Sequence, residues 1–272
     1  MSALGFIGVG VMGEPMARRL LRAGHPLRIY DPVPEPVSRL AADGAVACRD
    51  AAEVAEGAEV IFLMVRDAAQ VEQVLSGPGG LAGRLTARHT LVCLSTLNPE
   101  FMKGLAVRLP GVALLDAPVS GGRAGAESGE LAFMVGGDAA VCERVEPFLA
   151  VMGHQIRRIG PLGSGQVAKA ANQIVITLTR AAIGEAFLFA ARSGVDPEQV
   201  RQALLGGLAR SATLETYGPR VSGLENPVQF ESEILKKDIN NTVAAAEAIG
   251  VHLPFATLVR DCYNHEGPRV EG

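Results

Sequence analysis

The stretch Leu4-Gly5-Phe6-Ile7-Gly8-Val9-Gly10-Val11-Met12-Gly13 decides the fold of this chain. A short apolar run leads straight into Gly-x-Gly-x-x-Gly. Pro15 follows, where the first turn of a helix tolerates a residue without an N–H. Met16, Leu20 and Leu21 then recur at helical spacing, and Gly24 ends the pattern as a C-terminal cap does. The glycines therefore sit between a strand and a helix, the context in which this fingerprint binds a dinucleotide. Gly8 allows the tight turn, Gly10 lets the backbone approach a pyrophosphate, and Gly13 lets helix and strand pack closely. The helix N-terminus faces the phosphates, so Val9, Val11 and Met12 are part of the same cradle. A glycine-rich turn in some other α/β protein is the alternative.

Outward from that motif, Pro26 to Tyr30 reads as the second strand, ended by Asp31. Asp31 stands about 20 residues beyond the first glycine, the spacing of the acid that binds an adenosine ribose diol. A carboxylate there repels a 2′-phosphate, which favours NAD over NADP. Arg28 and Arg39 are near enough in sequence to blunt that preference, and Asp31 could instead only cap the turn into Pro32. Val60 to Val65 is unbroken and apolar, as a central parallel strand is. Thr90 to Leu94 is another such run, followed by Ser95-Thr96. The carboxyl ends of parallel strands line the ligand crevice. Met64, Val65 and Thr96 are thus candidates to touch the nicotinamide half of the cofactor, with plain core as the other reading of Met64. Ala113 to Asp116 is a further strand that leads into Val119-Ser120-Gly121-Gly122. A hydroxyl and unhindered N–H groups suit a carboxylate or phosphate; an ordinary turn is the alternative. Leu131 to Val135 is a strand, Asp138 caps a helix to about Met152, and Ile156 to Ile159 closes the first domain.

Beyond it comes Gly163-Ser164-Gly165-Gln166-Val167-Ala168-Lys169-Ala170-Ala171-Asn172-Gln173, and a helical pattern runs on to about Ser193. Lys169, Asn172 and Gln173 fall on one face at helical spacing. A lysine and two amides on one stripe suit a site that handles a proton and an oxygen. The rest of this helix is apolar nearly all round (Val167, Ile174, Val175, Ile176, Leu178, Ile183, Phe187), which predicts burial between domains or subunits. Helical patterns follow from Asp196 to Leu205, from about Glu231, and from Pro254, with a loop at Gly206 to Ser211. Lys237, taken alone, reads as a solvated lysine. The fold expected is α/β: a Rossmann-type parallel-sheet domain over 1–162, then an all-α domain over 163–272, joined by the long helix.

The totals bound the function. The 272 residues suffice for one large or two ordinary domains, and 48% hydrophobic with 20% charged residues describes a globular chain. A net charge of -4 invites neither nucleic acid nor an anionic membrane. Cys48, Cys93, Cys142 and Cys262 show no metal-clip or redox spacing. Buried reduced thiols in a cytoplasmic protein are expected, with no metal site. The N-terminus lacks the pattern of a signal peptide. The longest clean apolar run, Val60 to Val65, is far short of the ~20 residues a membrane span needs. The apolar helical half suggests a homodimer or homotetramer.

With these motifs laid out, the chain resembles the β-hydroxyacid dehydrogenase family, which includes 3-hydroxyisobutyrate dehydrogenase and tartronate semialdehyde reductase. The fingerprint Gly5 to Gly13 extending into Pro15-Met16-Ala17, the segment Asp116 to Gly122, the segment Gly163 to Asn172 and the pair Lys237-Asp238 all match in order. The likeness covers roughly residues 4 to 262 and implies an NAD(P)-dependent enzyme acting on a small carboxylate-bearing substrate. It implies that Lys169 is catalytic, that Ser120, Gly121, Gly122 and Asn172 hold the substrate, and that Thr96 and Lys237 contact the cofactor. Relatives acting on 6-phosphogluconate carry His where Ala171 stands, and imine-reducing relatives replace the lysine kept here. The loop Gly206 to Ser211 looks most like that of tartronate semialdehyde reductases, although Arg210 stands where a small residue is common. Relatives usually carry a further helix after the position of His265; Gly267 to Gly272 stands in its place.

Hydride transfer requires a proton to move to or from the substrate oxygen, and Lys169 is expected to carry it. A free lysine titrates near about 10.4, too high for a good base at neutral pH, and burial on an apolar helix is expected to lower it. The competing expectations are 3-hydroxyisobutyrate dehydrogenase, succinic semialdehyde or imine reduction on the same scaffold, and a non-catalytic NAD-binding sensor or scaffold.

Overall fold

The computed structural model describes residues 3–222 and 233–264. The helix start expected near Glu231 and the segment 267–272 lie outside the described residues. Two compact units divide the chain, Met1–Lys169 and Ala170–Gly272. The division expected at 162/163 falls at the turn that opens the long helix, whereas by contact the first turns of that helix belong with the first unit.

The first unit runs β1 (Ala3–Ile7), α1 (Gly13–Arg22), β2 (Leu27–Tyr30), α2 (Pro34–Ala42), β3 (Val46–Ala47), α3 (Ala51–Gly57), β4 (Ala58–Leu63), α4 (Ala68–Ser76), β5 (Thr90–Cys93), α5 (Pro99–Arg108), β6 (Ala113–Asp116), β7 (Val119–Ser120), α6 (Gly122–Ser128), β8 (Leu131–Gly137), α7 (Ala139–Met152) and β9 (Gly153–Gly160), then enters α8 (Ser164–Arg192). The sheet order is β3-β2-β1-β4-β5-β6-β8-β7, with β9 paired to β8. Its first six strands are parallel, the doubly wound order that opens a crevice where β1 and β4 diverge. The far edge departs from the expected parallel sheet: β8 runs antiparallel to β6 and β7. Only Ala117 and Pro118 separate β6 from β7, too few for a crossover helix. β7 therefore continues in the direction of β6, and β8, returning after α6, runs against both.

Alternation along the strands feeds two cores. Phe6, Phe62, Val92 and Leu115 pack on one face, and Ile7, Ile61, Leu63, Leu91 and Leu114 on the other. Asp50, Asp67, Asn98 and Asp138 each accept a backbone N–H and cap the helix that follows.

In the second unit the described residues are helical: the remainder of α8, α9 (Pro197–Leu205), α10 (Ala212–Val221), α11 (Glu233–Ala248) and α12 (Pro254–Asn264). Ile183, Phe187, Leu214 and Val221 form one small core; Ile239, Val243, Ala256 and Tyr263 form another. Within the single chain, α8 is buried on part of its surface only. Ile183 and Phe187 are buried, but Val167, Val175 and Phe189 are exposed. By length and composition alone α8 could cross a membrane, a feature the reading of Val60 to Val65 as the longest apolar run does not register. Its Lys169, Gln173, Thr177 and Arg180 are nevertheless buried within the protein, and the Arg180 guanidinium lies 3.8 Å over the Tyr217 ring. Cys48, Cys93 and Cys142 are buried as expected, whereas Cys262, near the end of α12, is exposed.

Candidate active site

The glycine loop leaves β1 at Gly8, which has φ +88°, a conformation that disfavours any side chain. A Cβ on Gly13 would run into the Gly8 carbonyl, so both positions are closed to larger residues. Gly10 is different: nothing stands within 4 Å of where its Cβ would be. The loop thus has a tight base and an open lip, the shape a pyrophosphate needs beside the N-terminus of α1. Asp31, just past β2, accepts the N–H of Val9 through Oδ2 at 2.8 Å and that of Val33 through Oδ1 at 2.9 Å. It therefore ties the loop to β2. Each oxygen keeps a further lone pair for a ribose hydroxyl. These residues fit a dinucleotide. Val11 and Met12 complete the loop, Val11 with its side chain exposed.

Met64 and Val65 follow β4 and are half-buried, Val65 lying next to Gly8. The Val65 N–H donates to Ser95 Oγ at 2.9 Å. Thr96 is half-buried and held from both sides. The Gln166 side chain donates to the Ser95 carbonyl at 2.8 Å and accepts the Leu97 N–H at 2.8 Å. Gln166 is anchored in turn, because its own N–H donates to Asp116 Oδ2 at 2.7 Å. The Gly163 N–H donates to Asp116 Oδ1 at 2.7 Å. Asp116 is wholly buried, and burial pushes its carboxyl above the usual range, opposed by these backbone donors. Sequence reasoning misses both Asp116 and Gln166 as site residues. Signals for them exist: a carboxylate closing an apolar strand must find donors, and Gln166 sits three residues before Lys169.

Lys169 is 8% exposed, and its Nζ donates to the Val119 carbonyl at 2.7 Å. That contact brings the ammonium to the residue preceding Ser120, Gly121 and Gly122. Ser120 is half-buried at the end of β7, and Gly121 and Gly122, at the start of α6, both have positive φ.

In the second unit a separate chain of polar groups forms. The Asn172 amide nitrogen donates to Gln173 Oε1 at 3.0 Å, and the Gln173 amide nitrogen donates to Asp238 Oδ2 at 2.6 Å. Lys237 Nζ lies 2.9 Å from Asp238 Oδ1, so Lys237 is not the solvated lysine that its sequence alone suggests. Thr242 Oγ1 donates to the Asp238 carbonyl at 2.8 Å. Arg210 donates to Glu215 at 2.8 Å. Among the described residues no group of three or more His, Cys, Asp or Glu side chains could hold a metal ion.

Comparison with known proteins bears on this arrangement. A family model described as the NAD binding domain of 6-phosphogluconate dehydrogenase matches residues 3–160. Another, described as NAD-binding of NADP-dependent 3-hydroxyisobutyrate dehydrogenase, matches residues 163–270. The chain is 42% identical over 265 residues to the 2-hydroxy-3-oxopropionate reductase of Escherichia coli (strain K12), spanning 96% of this chain and 90% of that protein. It is 33% identical to the 3-hydroxyisobutyrate dehydrogenase of Pseudomonas aeruginosa, over 97% of this chain and 92% of the relative. The Mycobacterium tuberculosis 3-hydroxyisobutyrate dehydrogenase solved with L-serine superimposes with a TM-score of 0.84 at 30% identity, over 97% of this chain and 93% of that one. A dinucleotide loop closed by Asp31, a buried Lys169 and these matches together show that the chain belongs to the β-hydroxyacid dehydrogenase family of NAD(P)-dependent oxidoreductases.

Proposed function

We propose that this enzyme interconverts tartronate semialdehyde and the corresponding 3-hydroxy acid, with Lys169 as the general acid of reduction and the base of oxidation. The observation that carries the reading is the buried Lys169 ammonium, fixed on Val119 O immediately before Ser120-Gly121-Gly122. The substrate assignment is supported by the likeness to the Escherichia coli 2-hydroxy-3-oxopropionate reductase.

The residues divide the work. Gly8 to Gly13, Asp31, Met64, Val65, Thr96 and Lys237 would hold the cofactor. When bound, the nicotinamide cofactor supplies or takes the hydride. Ser120 and the N–H groups of Gly121 and Gly122 bind the substrate carboxylate. Lys169 donates a proton to the carbonyl oxygen during reduction and recovers it during oxidation. Asn172 orients that oxygen. Polar groups pinned in advance need no reorganisation when charge develops, which is where such a site gains its rate. The exposed Val167, Val175 and Phe189 support the expectation of a homo-oligomer, which size-exclusion chromatography with light scattering reads directly.

The test is NADH oxidation with tartronate semialdehyde, beside methylmalonate and succinic semialdehydes. Fastest turnover with tartronate semialdehyde is expected. Faster turnover of another semialdehyde would replace the substrate, and NADH binding without turnover of any would overturn the enzymatic reading in favour of a sensor.

A further inference from the structure

A groove of about 740 Å³ opens at the lip of the glycine loop, where Gly10 and Val11 meet Glu14 and Arg18 of α1 and Pro36 and Arg39 of α2. Arg39 is the guanidinium of α2 nearest in sequence to Asp31, the residue that marks the adenosine ribose. Arg19, Arg22 and Arg123 line the groove as well, and of its guanidinium groups Arg39 and Arg18 are engaged by one carboxylate. Arg39 Nε donates to Glu14 Oε1 at 2.8 Å and its Nη2 to Oε2 at 2.7 Å, a two-pronged pair. Arg18 Nη2 donates to Glu14 Oε1 at 2.8 Å, and its Nη1 pairs with Asp43. Glu14 sits in the first turn of α1, directly after Gly13.

A bidentate guanidinium is the group best suited to a phosphate. A carboxylate that holds the same fork competes for it and adds a like charge beside the incoming anion. We propose that Glu14 is a cofactor-specificity determinant: by sequestering Arg39 and Arg18 it denies a 2′-phosphate its partners and favours NAD over NADP, separately from Asp31. The arginines are thus present but disarmed. A shorter or neutral side chain at position 14 frees a phosphate fork without adding any cation. This inference rests on the cofactor part of the proposed function and not on the identity of the substrate.

The experiment is a calorimetric titration of NAD+ and NADP+, and of 5′-AMP and 2′,5′-ADP as adenosine-end fragments, into the full chain and three variants. In Glu14→Gln, affinity for NADP+ and 2′,5′-ADP is expected to rise roughly tenfold relative to NAD+ and 5′-AMP, the gain of about one charged hydrogen bond. Arg39→Met alone is expected to leave the NADP+ to NAD+ ratio within about twofold of the unmodified chain, since Arg39 is already occupied. Glu14→Gln with Arg39→Met is expected to lose the gain. An unchanged ratio in Glu14→Gln overturns the proposal. So does an Arg39→Met change that costs as much NADP+ affinity in the unmodified background as in the Glu14→Gln background. The readout is binding, so absent semialdehyde turnover would sink the substrate reading and leave this test intact. Absence of binding by both dinucleotides would overturn the cofactor reading and the proposal together.

Discussion

The amide nitrogen of Gln173 donates to Oδ2 of Asp238 across 2.6 Å, and this contact sets the direction of the amide beside it. A carboxylate only accepts. Gln173 must therefore turn its NH2 to Asp238 and its carbonyl to Asn172, and Asn172 must turn its own NH2 to Gln173. Asn172 keeps its Oδ1 and the second N–H of its NH2 once this bond is made.

The Asp238→Asn variant removes that constraint, because an amide accepts or donates. The expected result is a roughly tenfold fall in kcat/KM for the hydroxy acid, about 1.4 kcal/mol. A second variant tests the polarity itself. Gln173→Glu places two carboxyl groups face to face, so one holds a proton with a raised pKa. A raised folded-state pKa makes its stabilisation present at low pH and lost as pH rises. The thermal midpoint of Gln173→Glu is therefore expected to fall further below that of the unmodified chain at pH 8 than at pH 5. Equal deficits at both pH values would show that the two groups do not meet.

Asp116 anchors the start of α8 through two backbone donors in the interior. Asp116→Ala leaves both unpaired, a cost of roughly 3 kcal/mol. A drop of roughly 10 °C in the thermal midpoint is expected by calorimetry. Gln166→Leu releases the peptides on either side of Thr96 without touching Lys169. It is expected to weaken NAD+ binding severalfold while Lys169 keeps its contact with Val119.

Lys169→Ala is expected to lower kcat by about 10² to 10⁴, the range of general acid–base catalysis, with NAD+ affinity unchanged. Lys169→Arg keeps a cation but cannot shuttle a proton at neutral pH, so it is expected to be equally slow. An Arg variant retaining most of the turnover would mean that Lys169 binds charge rather than moving a proton.

Glu14 provides a pH signature. The Arg39 guanidinium holds its carboxyl below the usual carboxylate range, with Arg18 adding to the effect against burial. A depressed acid stabilises the fold above its unfolded-state pKa of 4.5, and the contribution is lost as pH falls through the folded-state value. The pairs are partly solvated, so the effect is about 1 kcal/mol at most. Denaturant unfolding of Glu14→Gln against the unmodified chain is expected to show this gap at pH 7 and its progressive loss as pH falls below 4.5.

Thiol reactivity separates the cysteines. Burial pushes the Cys93 thiol up to about 12, and raises Cys48 and Cys142 as well. Cys262 is exposed. One fast-reacting thiol is expected in the native protein with a chromogenic disulfide reagent, and none in Cys262→Ser.

Much of this molecule is legible in one dimension because its signals are local. The glycines, the acid that ends β2 and the apolar strands lie within short windows and report backbone geometry. Lys169 and Asn172 are legible as candidates, since helical spacing alone puts them on one face. The antiparallel edge is not. β7 spans two residues, below the length at which alternation registers. The groups that hold the site in place are likewise hidden. Asp116 finds Gln166 from 50 residues away, Gln166 finds Ser95 from 71, and Gln173 finds Asp238 from 65.

What the sequence by itself determined was the class of chemistry: a dinucleotide loop, a lysine on a long helix and a hydroxyl followed by glycines. Those depend on residue type and local spacing, which dihedral preferences and the helical period convert into structure. Only the tertiary structure decided how each group is held: Lys169 on a carbonyl of the short strand, the amides of Asn172 and Gln173 turned by Asp238, and Arg39 occupied by Glu14. Hydrogen bonds and ion pairs act over about 3 Å whatever the separation along the chain, so their partners become visible only once folding has brought distant segments together.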